Sequence, residues 1–307
     1  MISIIIPTYN ASSYLPNLLN SLEHQTSKDY ELIIIDSSSN DNTVAIVKDH
    51  GAVTIINPKK DFDHGKTRNL GASEAKGDIV LYLTQDALPA DEHSIENLIK
   101  PFHDDKLVAA SYGRQLPNPD ASPISTHLRL FNYPDSSYIR SLKDRNIHGI
   151  KTIFLSNSFS AYRREILEKI GAFKEKLIFG EDMHAAARLL LAGYKVAYNA
   201  DAMVHHSHNY TAYQEFERYF DLGVLHGSED WLIKEFGTTG GEGKKYINSG
   251  ISYLLKDKRF HLIPAFLFRN ALKYLGYNLG LRYDKIPRAL ACRLSMNKIW
   301  WENTAKN

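Results

Sequence analysis

Cysteine is nearly missing from this sequence: Cys292 stands alone among 307 residues. One thiol excludes an internal disulfide and any cysteine-based metal cluster, and it fits a reducing cytoplasm, so packing is the expected role of Cys292. Long apolar runs are missing too, and nothing approaches an uninterrupted membrane span. The opening stretch MISIIIPTYN is apolar but has no basic n-region and no long h-region, so no signal peptide is expected. Net charge is small, at a formal +2, and apolar content is ordinary at 43%, which excludes a disordered chain. The near-neutral total conceals an uneven distribution. Residues 244–307 hold about 13 Lys and Arg against about 3 Asp and Glu, leaving the body acidic. One further absence is local. The turn after the first apolar stretch reads PTYNASS, with no glycine, so a glycine-rich loop holding a pyrophosphate on a helix N-terminus is excluded there.

What is present is organised around DIVLYLTQDALP. Ile79 to Leu83 form an apolar run without alternation, the pattern of a strand covered on both faces, and the run stops at Thr84-Gln85-Asp86. Sheets of this kind bind ligands beyond the carboxyl ends of their strands, where Asp86 falls; taken alone, Asp86 also suits a turn before Pro89. In chain order, Ser3–Pro7 reads as a strand and Tyr14–Leu22 as an amphipathic helix capped by Ser12 or Ser13. Tyr30–Ile35 reads as a buried strand ending at Asp36, Val44–Lys48 as a helix, and Val53–Ile56 as a short strand. Thr67–Ala75 follows as a helix before the Ile79–Leu83 strand. This alternation predicts an α/β fold with a parallel sheet and helices on both faces. Further on, EDMHAAARLLLAG reads as a helix opened by Glu181 and Asp182 and ended at Gly193; acids also suit any first helical turn.

IIIPTYN, IIIDSSSNDNT, HGKTRNLGASEAKGDIVLYLTQDA and FGEDMHAAARLLLAGYKV, in that order, resemble the inverting nucleotide-sugar glycosyltransferases of family 2 over residues 1–210. The resemblance implies the GT-A fold: a Rossmann-like, mostly parallel sheet flanked by helices. Residues 1–112 would be the nucleotide-sugar half, 113–210 the acceptor half, and 211–307 a helical C-terminal region. TQDALP and HHSHNYTAYQEFERYFDLG look most like bacterial rhamnosyltransferases of surface polysaccharide biosynthesis. Carried over, Pro7, Thr8, Tyr9, Asp36 and Ser38 hold the base and ribose, with Arg68, Asn69, Gln85 and Asp86 beside the nucleotide. A carboxylate accepting from a pyrimidine N3–H and an aromatic face beside a base agree with that assignment.

The family's metal motif has two acids, whereas Thr84-Gln85-Asp86 keeps the second alone. One carboxylate and a diphosphate leave a Mg²⁺ or Mn²⁺ shell incomplete, and the histidines of VHHSHN are the candidates to fill it. In an extended chain His206 and His208 share a side, so those two, or His205 alone, face the site. The resemblance makes Asp182 the general base and Glu181 its support, while Asn157 and Ser158 are the expected acceptor contacts within TIFLSNSFSA. The polar connection 114–150 is expected to shape the acceptor pocket. A departing diphosphate needs neutralisation but no protonated acid, unlike the two carboxyl groups of a glycosidase, so one base suffices. No Gln-x-x-Arg-Trp motif is present, so single addition is expected.

The expected reaction is transfer of rhamnose from dTDP-rhamnose to a lipid-linked glycan at the inner face of the cell membrane. A UDP-hexose or UDP-N-acetylhexosamine transferase, or a sugar-binding module without activity, are the alternatives. No nucleic-acid partner is expected. GTTGGEG at 237–243 reads as a hinge. Beyond it, FHLIPAFLFRNALKYLGYNLGLRY, broken by Arg269 and Lys273, and Ile299-Trp300-Trp301 read as helices lying on an anionic membrane, or as a homodimer contact.

Overall fold

A computed structural model describes residues 1–238 and 241–304. Nine strands are described: β1 (Ile2–Thr8), β2 (Tyr30–Asp36), β3 (Val53–Ile56), β4 (Ile79–Leu83), β5 (Leu88–Pro89), β6 (Val108–Leu116), β7 (Tyr138–Arg140), β8 (Phe159–Arg163) and β9 (Lys195–His205). They form one sheet in the order β3, β2, β1, β4, β8, β6, β9, β5, with β7 also on β9. The parallel arrangement read from the alternating pattern holds for β3, β2, β1 and β4. From β4 onward the sheet is mixed, because β8 runs antiparallel to both β4 and β6 while β9 returns parallel to β6. Strands β1 and β4 are buried on both faces, as is the C-terminal half of β2. Ile5, Ile33, Ile35, Val80 and Tyr82 point into one core and Ile4, Ile6, Ile34, Leu81 and Leu83 into the other, the period of two that a pleated strand imposes.

Helix Leu15–Glu23 buries Leu15, Leu18, Leu19 and Leu22, but neither Ser12 nor Ser13 caps it; Tyr14 occupies the N-cap without a side-chain bond and Pro16 pre-sets the first turn. The third helix runs His64–Ser73, three residues ahead of its expected start, because the Asp63 carboxylate accepts from the Lys66 N–H and closes the N-terminus. The polar connection after Arg114 is not structureless: it holds the end of β6, helix Pro123–Asn132 and β7.

The C-terminal helices build cores of their own against the rest. Helix Ala212–Ser228, opened by a Thr211–Gln214 capping box, lies along helix Ile263–Gly280. The two backbones touch: a Cβ on Gly223, Gly276 or Gly280 would collide with backbone of the facing helix. Trp301 and Ala291 pack with Phe216 and Phe220 against Leu177 and Ile178. Trp301 is therefore a core residue, and Trp300 donates its indole N–H to the Lys176 carbonyl, so this pair does not lie free for a membrane. Of the glycine run read as a hinge, 239 and 240 lie outside the described residues; Gly237 caps one helix at φ +76° and Gly241 opens the next at +78°.

Candidate active site

Two acidic centres meet at the carboxyl ends of the strands. The first is Glu181-Asp182, the opening turn of helix Glu181–Leu191, which Gly180 enters from a left-handed conformation at φ +81°. Glu181 is buried, pairs with Arg68 at 3.2 Å and accepts from the Asn157 amide at 3.1 Å. Burial alone would raise its pKa, but Arg68, His64 and Asn157 outweigh that and hold Glu181 below the ordinary range. Asp182 is half-buried and accepts from the backbone N–H of Asn157 at 3.1 Å and of Met183 at 2.7 Å. Burial, then the neighbouring Glu181 charge, push Asp182 up to about 6. A carboxylate poised there can exchange a proton near neutral pH.

The second centre is Asp86, His206 and His208. One ligand atom from each lies within 4.8 Å of the others; Asp86 Oδ2 stands 3.5 Å from His206 Nε2 and 3.8 Å from His208 Nε2. The trio assembles because β9 ends at His205, and alternation carries His206 and His208 to the same side. His205 turns elsewhere, its Nδ1 3.1 Å from the Pro117 carbonyl. His206 Nδ1 faces the Gln115 oxygen at 2.9 Å, and that oxygen also receives Arg129 at 2.7 Å, while the Gln115 amide donates to Ser156. An acceptor fixed in that way holds Nδ1–H on His206 and turns Nε2 toward Asp86. Burial works against ionised Asp86, but the two imidazoles overcome it and hold the carboxyl far below its usual range. Thr84, where the family's first acid would stand, has its hydroxyl buried beside Asp86. A divalent cation suits this donor set, since ligands on opposite sides of Mg²⁺ lie about 4.2 Å apart.

The remaining residues expected at the site divide sharply. Tyr9 is exposed and offers its ring, with the Lys59 ammonium 4.3 Å from the ring centre. Ser38 adopts φ +60°, which folds Ser39 back so that its N–H and hydroxyl both donate to Asp36. Asp36 also receives the Thr8 hydroxyl and is wholly buried, so the two lace the first two loops together. Pro7 lies within β1, opposite Ile35. The Gln85 amide bonds the Tyr9 backbone N–H and carbonyl, and Asn69 both backbone groups of Phe173, so each also braces a loop. Arg68 turns inward to Glu181. Asn157 donates one amide N–H to Glu181 and accepts from Ser160 and Tyr162, so it braces the acids. Ser158 is half-buried, its carbonyl receiving the Thr84 N–H.

Arg218 went unnoticed in the sequence. On helix Ala212–Ser228, its guanidinium covers the Phe179 ring at 4.0 Å, next to Gly180-Glu181-Asp182, and its charge reaches both His64 and His208. It has no ion-pair partner among the described residues. No pattern marks it, since only the packing of that helix brings position 218 over Phe179. Gln115, the bridge that orients His206, was equally unsignalled.

Residues 3–171 match the family described as Glycosyl transferase family 2. The chain belongs to that family. This glycosyltransferase is 47% identical over 304 residues to the O-antigen chain rhamnosyltransferase RfbN of Salmonella typhimurium, an alignment spanning 98% of this chain and 96% of the relative. It is 45% identical to the O-antigen chain rhamnosyltransferase WbaN of Salmonella anatum, over 98% and 96%. Among solved structures, the mannosyltransferase PcManGT of Pyrobaculum calidifontis, in complex with GDP-Man and Mn²⁺, superposes with a TM-score of 0.65 at 16% identity, over 93% of this chain and 88% of that one. A structure of Staphylococcus aureus TarS superposes with a TM-score of 0.55 at 17% identity, over 92% and 91%. The glycosyltransferase therefore has the GT-A fold, with helices after residue 211.

Proposed function

We propose that this glycosyltransferase inverts the anomeric centre as it moves rhamnose from a dTDP-sugar to a hydroxyl of a lipid-linked glycan, at the cytoplasmic surface of the membrane. The choice of sugar rests on the full-length similarity to two proteins named as rhamnosyltransferases. The observation that carries the chemistry is Asp182, a carboxylate lifted to about 6 and held by two backbone N–H groups. It takes the proton of the acceptor hydroxyl, which attacks the anomeric carbon on the face opposite the leaving diphosphate. Glu181 stays ionised against Arg68 and keeps the Asp182 pKa high. Asp86, His206 and His208 would hold a divalent cation, which when bound would neutralise the diphosphate. Two imidazoles beside one carboxylate favour Mn²⁺ over Mg²⁺. Arg218 supplies a further positive charge to the departing anion. Tyr9, backed by Lys59, offers its face to the base or ribose.

The test is release of nucleoside diphosphate from a panel of dTDP- and UDP-sugars with a lipid-linked acceptor, with and without Mn²⁺. Fastest release from dTDP-rhamnose, abolished by chelator, is expected. Faster turnover of a UDP-hexose or UDP-N-acetylhexosamine overturns the sugar assignment, and full activity in chelator overturns the cation.

A further inference from the structure

Helix Ile263–Gly280 has two faces with opposite duties. Arg269 and Lys273, which interrupt its apolar pattern in the sequence, both turn inward onto Glu215, at 3.3 and 3.2 Å. Their withdrawal leaves the outer stripe uncharged. Leu267 and Phe268 are matched seven residues on, two helical turns away, by Tyr274 and Leu275, and Phe260 precedes the helix; Phe260, Phe268 and Tyr274 are 66%, 60% and 74% exposed. Large apolar side chains left open in a row mark an interaction surface. Cations stand at both ends, Lys256, Lys258 and Arg259 before the helix and Arg282 and Lys285 after it, against Asp257 and Asp284 alone. No described helix is long and apolar enough to cross a membrane.

We propose that this outer face docks on an anionic lipid surface, with Phe260, Phe268 and Tyr274 entering the headgroup layer. The charge pattern selects this occupant. A second copy joined through the same face would press two basic rims together, whereas acidic headgroups complement them. The inner face explains why the docking matters. Arg269 donates to the Tyr210 carbonyl at 2.8 Å, and the Tyr210 ring stacks on His208 at 5.1 Å, so the helix that meets lipid also braces the loop of a candidate metal ligand. A helix is about 10 Å across, which places that loop about one helix diameter above the surface where a lipid-linked acceptor is anchored. The inference rests on the proposed lipid-linked acceptor only for its purpose, since binding is read without any transfer.

Full-length protein is sedimented with vesicles of phosphatidylglycerol and phosphatidylcholine, and with phosphatidylcholine alone, beside the variant Phe268→Glu/Tyr274→Glu. The wild type should pellet with the anionic vesicles, less at high salt, and the variant should partition at least about tenfold less while keeping its melting temperature and its donor hydrolysis in solution. Equal pelleting of wild type and variant, or equal partition into neutral and anionic vesicles, overturns the proposal. So does a wild-type dimer that ignores vesicles and falls to monomer in the variant, which would make the face a contact between copies. Loss of donor hydrolysis with pelleting intact would count against the reaction and not against the surface.

Discussion

Asp86 and Asp182 stand at one edge of the sheet, the first just past the end of β4 and the second bonded to the Asn157 N–H just ahead of β8, yet their surroundings drive them in opposite directions. Asp86 faces two imidazoles and is kept ionised at any physiological pH. Asp182 faces Glu181 and sits with a raised pKa of about 6. Burial raises both; the sign of the neighbours decides the outcome. In the proposed reaction one carboxylate supplies fixed charge and the other moves a proton, the division a transferase needs when its leaving group is an anion and its nucleophile a neutral hydroxyl.

Breaking the proton-moving side should have the largest effect. Asp182→Asn keeps the shape but cannot take the proton, so the transfer rate should fall by about 10² to 10⁴ while donor affinity, measured by calorimetry, holds. Persistence of transfer within a few-fold would move the base elsewhere, with Glu181 the first suspect. Breaking the fixed-charge side comes next: Asp86→Ala should lower donor turnover by about 10² to 10³, a loss that excess Mn²⁺ does not restore. If Mn²⁺ restores it, the carboxylate is dispensable.

Two milder changes sharpen the contrast. Gln115→Leu frees the His206 tautomer without touching Asp86, and Mn²⁺ affinity read by electron paramagnetic resonance should weaken by about 10- to 100-fold. An unchanged affinity would show that the Gln115 bridge does not matter to a cation. The smallest effect on rate, but the most direct on mechanism, concerns pH. Asp182 must be unprotonated to act, so transfer should rise as pH climbs through about 6. Glu181→Gln removes the like charge, lowers the Asp182 pKa and should move that limb to lower pH. The same variant leaves Arg68 buried without its counter-ion, a cost of about 3 to 5 kcal/mol that a melting curve should register. A limb that stays in place would detach the pH dependence from the pair.

The first four strands, their order in the chain and the groups Asp86, Glu181-Asp182 and the histidines were legible because each depends on local pattern: a strand that stops, a helix that opens, an alternation of two. The bonds the sequence did not reveal are those whose partners lie far along the chain. Asn69 answers to Phe173, Gln85 to Tyr9 and Asn157 to Glu181. A polar side chain beside a site has no local signature telling strut from ligand, since either use satisfies its hydrogen bonds. Arg269 and Lys273 show the same limit, as they interrupt an apolar run in sequence but not the surface it makes, because Glu215 receives them from another helix. Arg218 required the register of a whole helix before its position meant anything.

The touching backbones of Gly223, Gly276 and Gly280 carry a consequence for anyone recombining this enzyme with its relatives. Where two helices meet without side chains between them, each is the mould of the other, and a single alanine on either would have to be answered by a shift of the whole partner. Residues 212–228 and 263–280 therefore form one cassette. A chimera that takes both together should keep its fit, whereas one that splices between them inherits a mismatched pair.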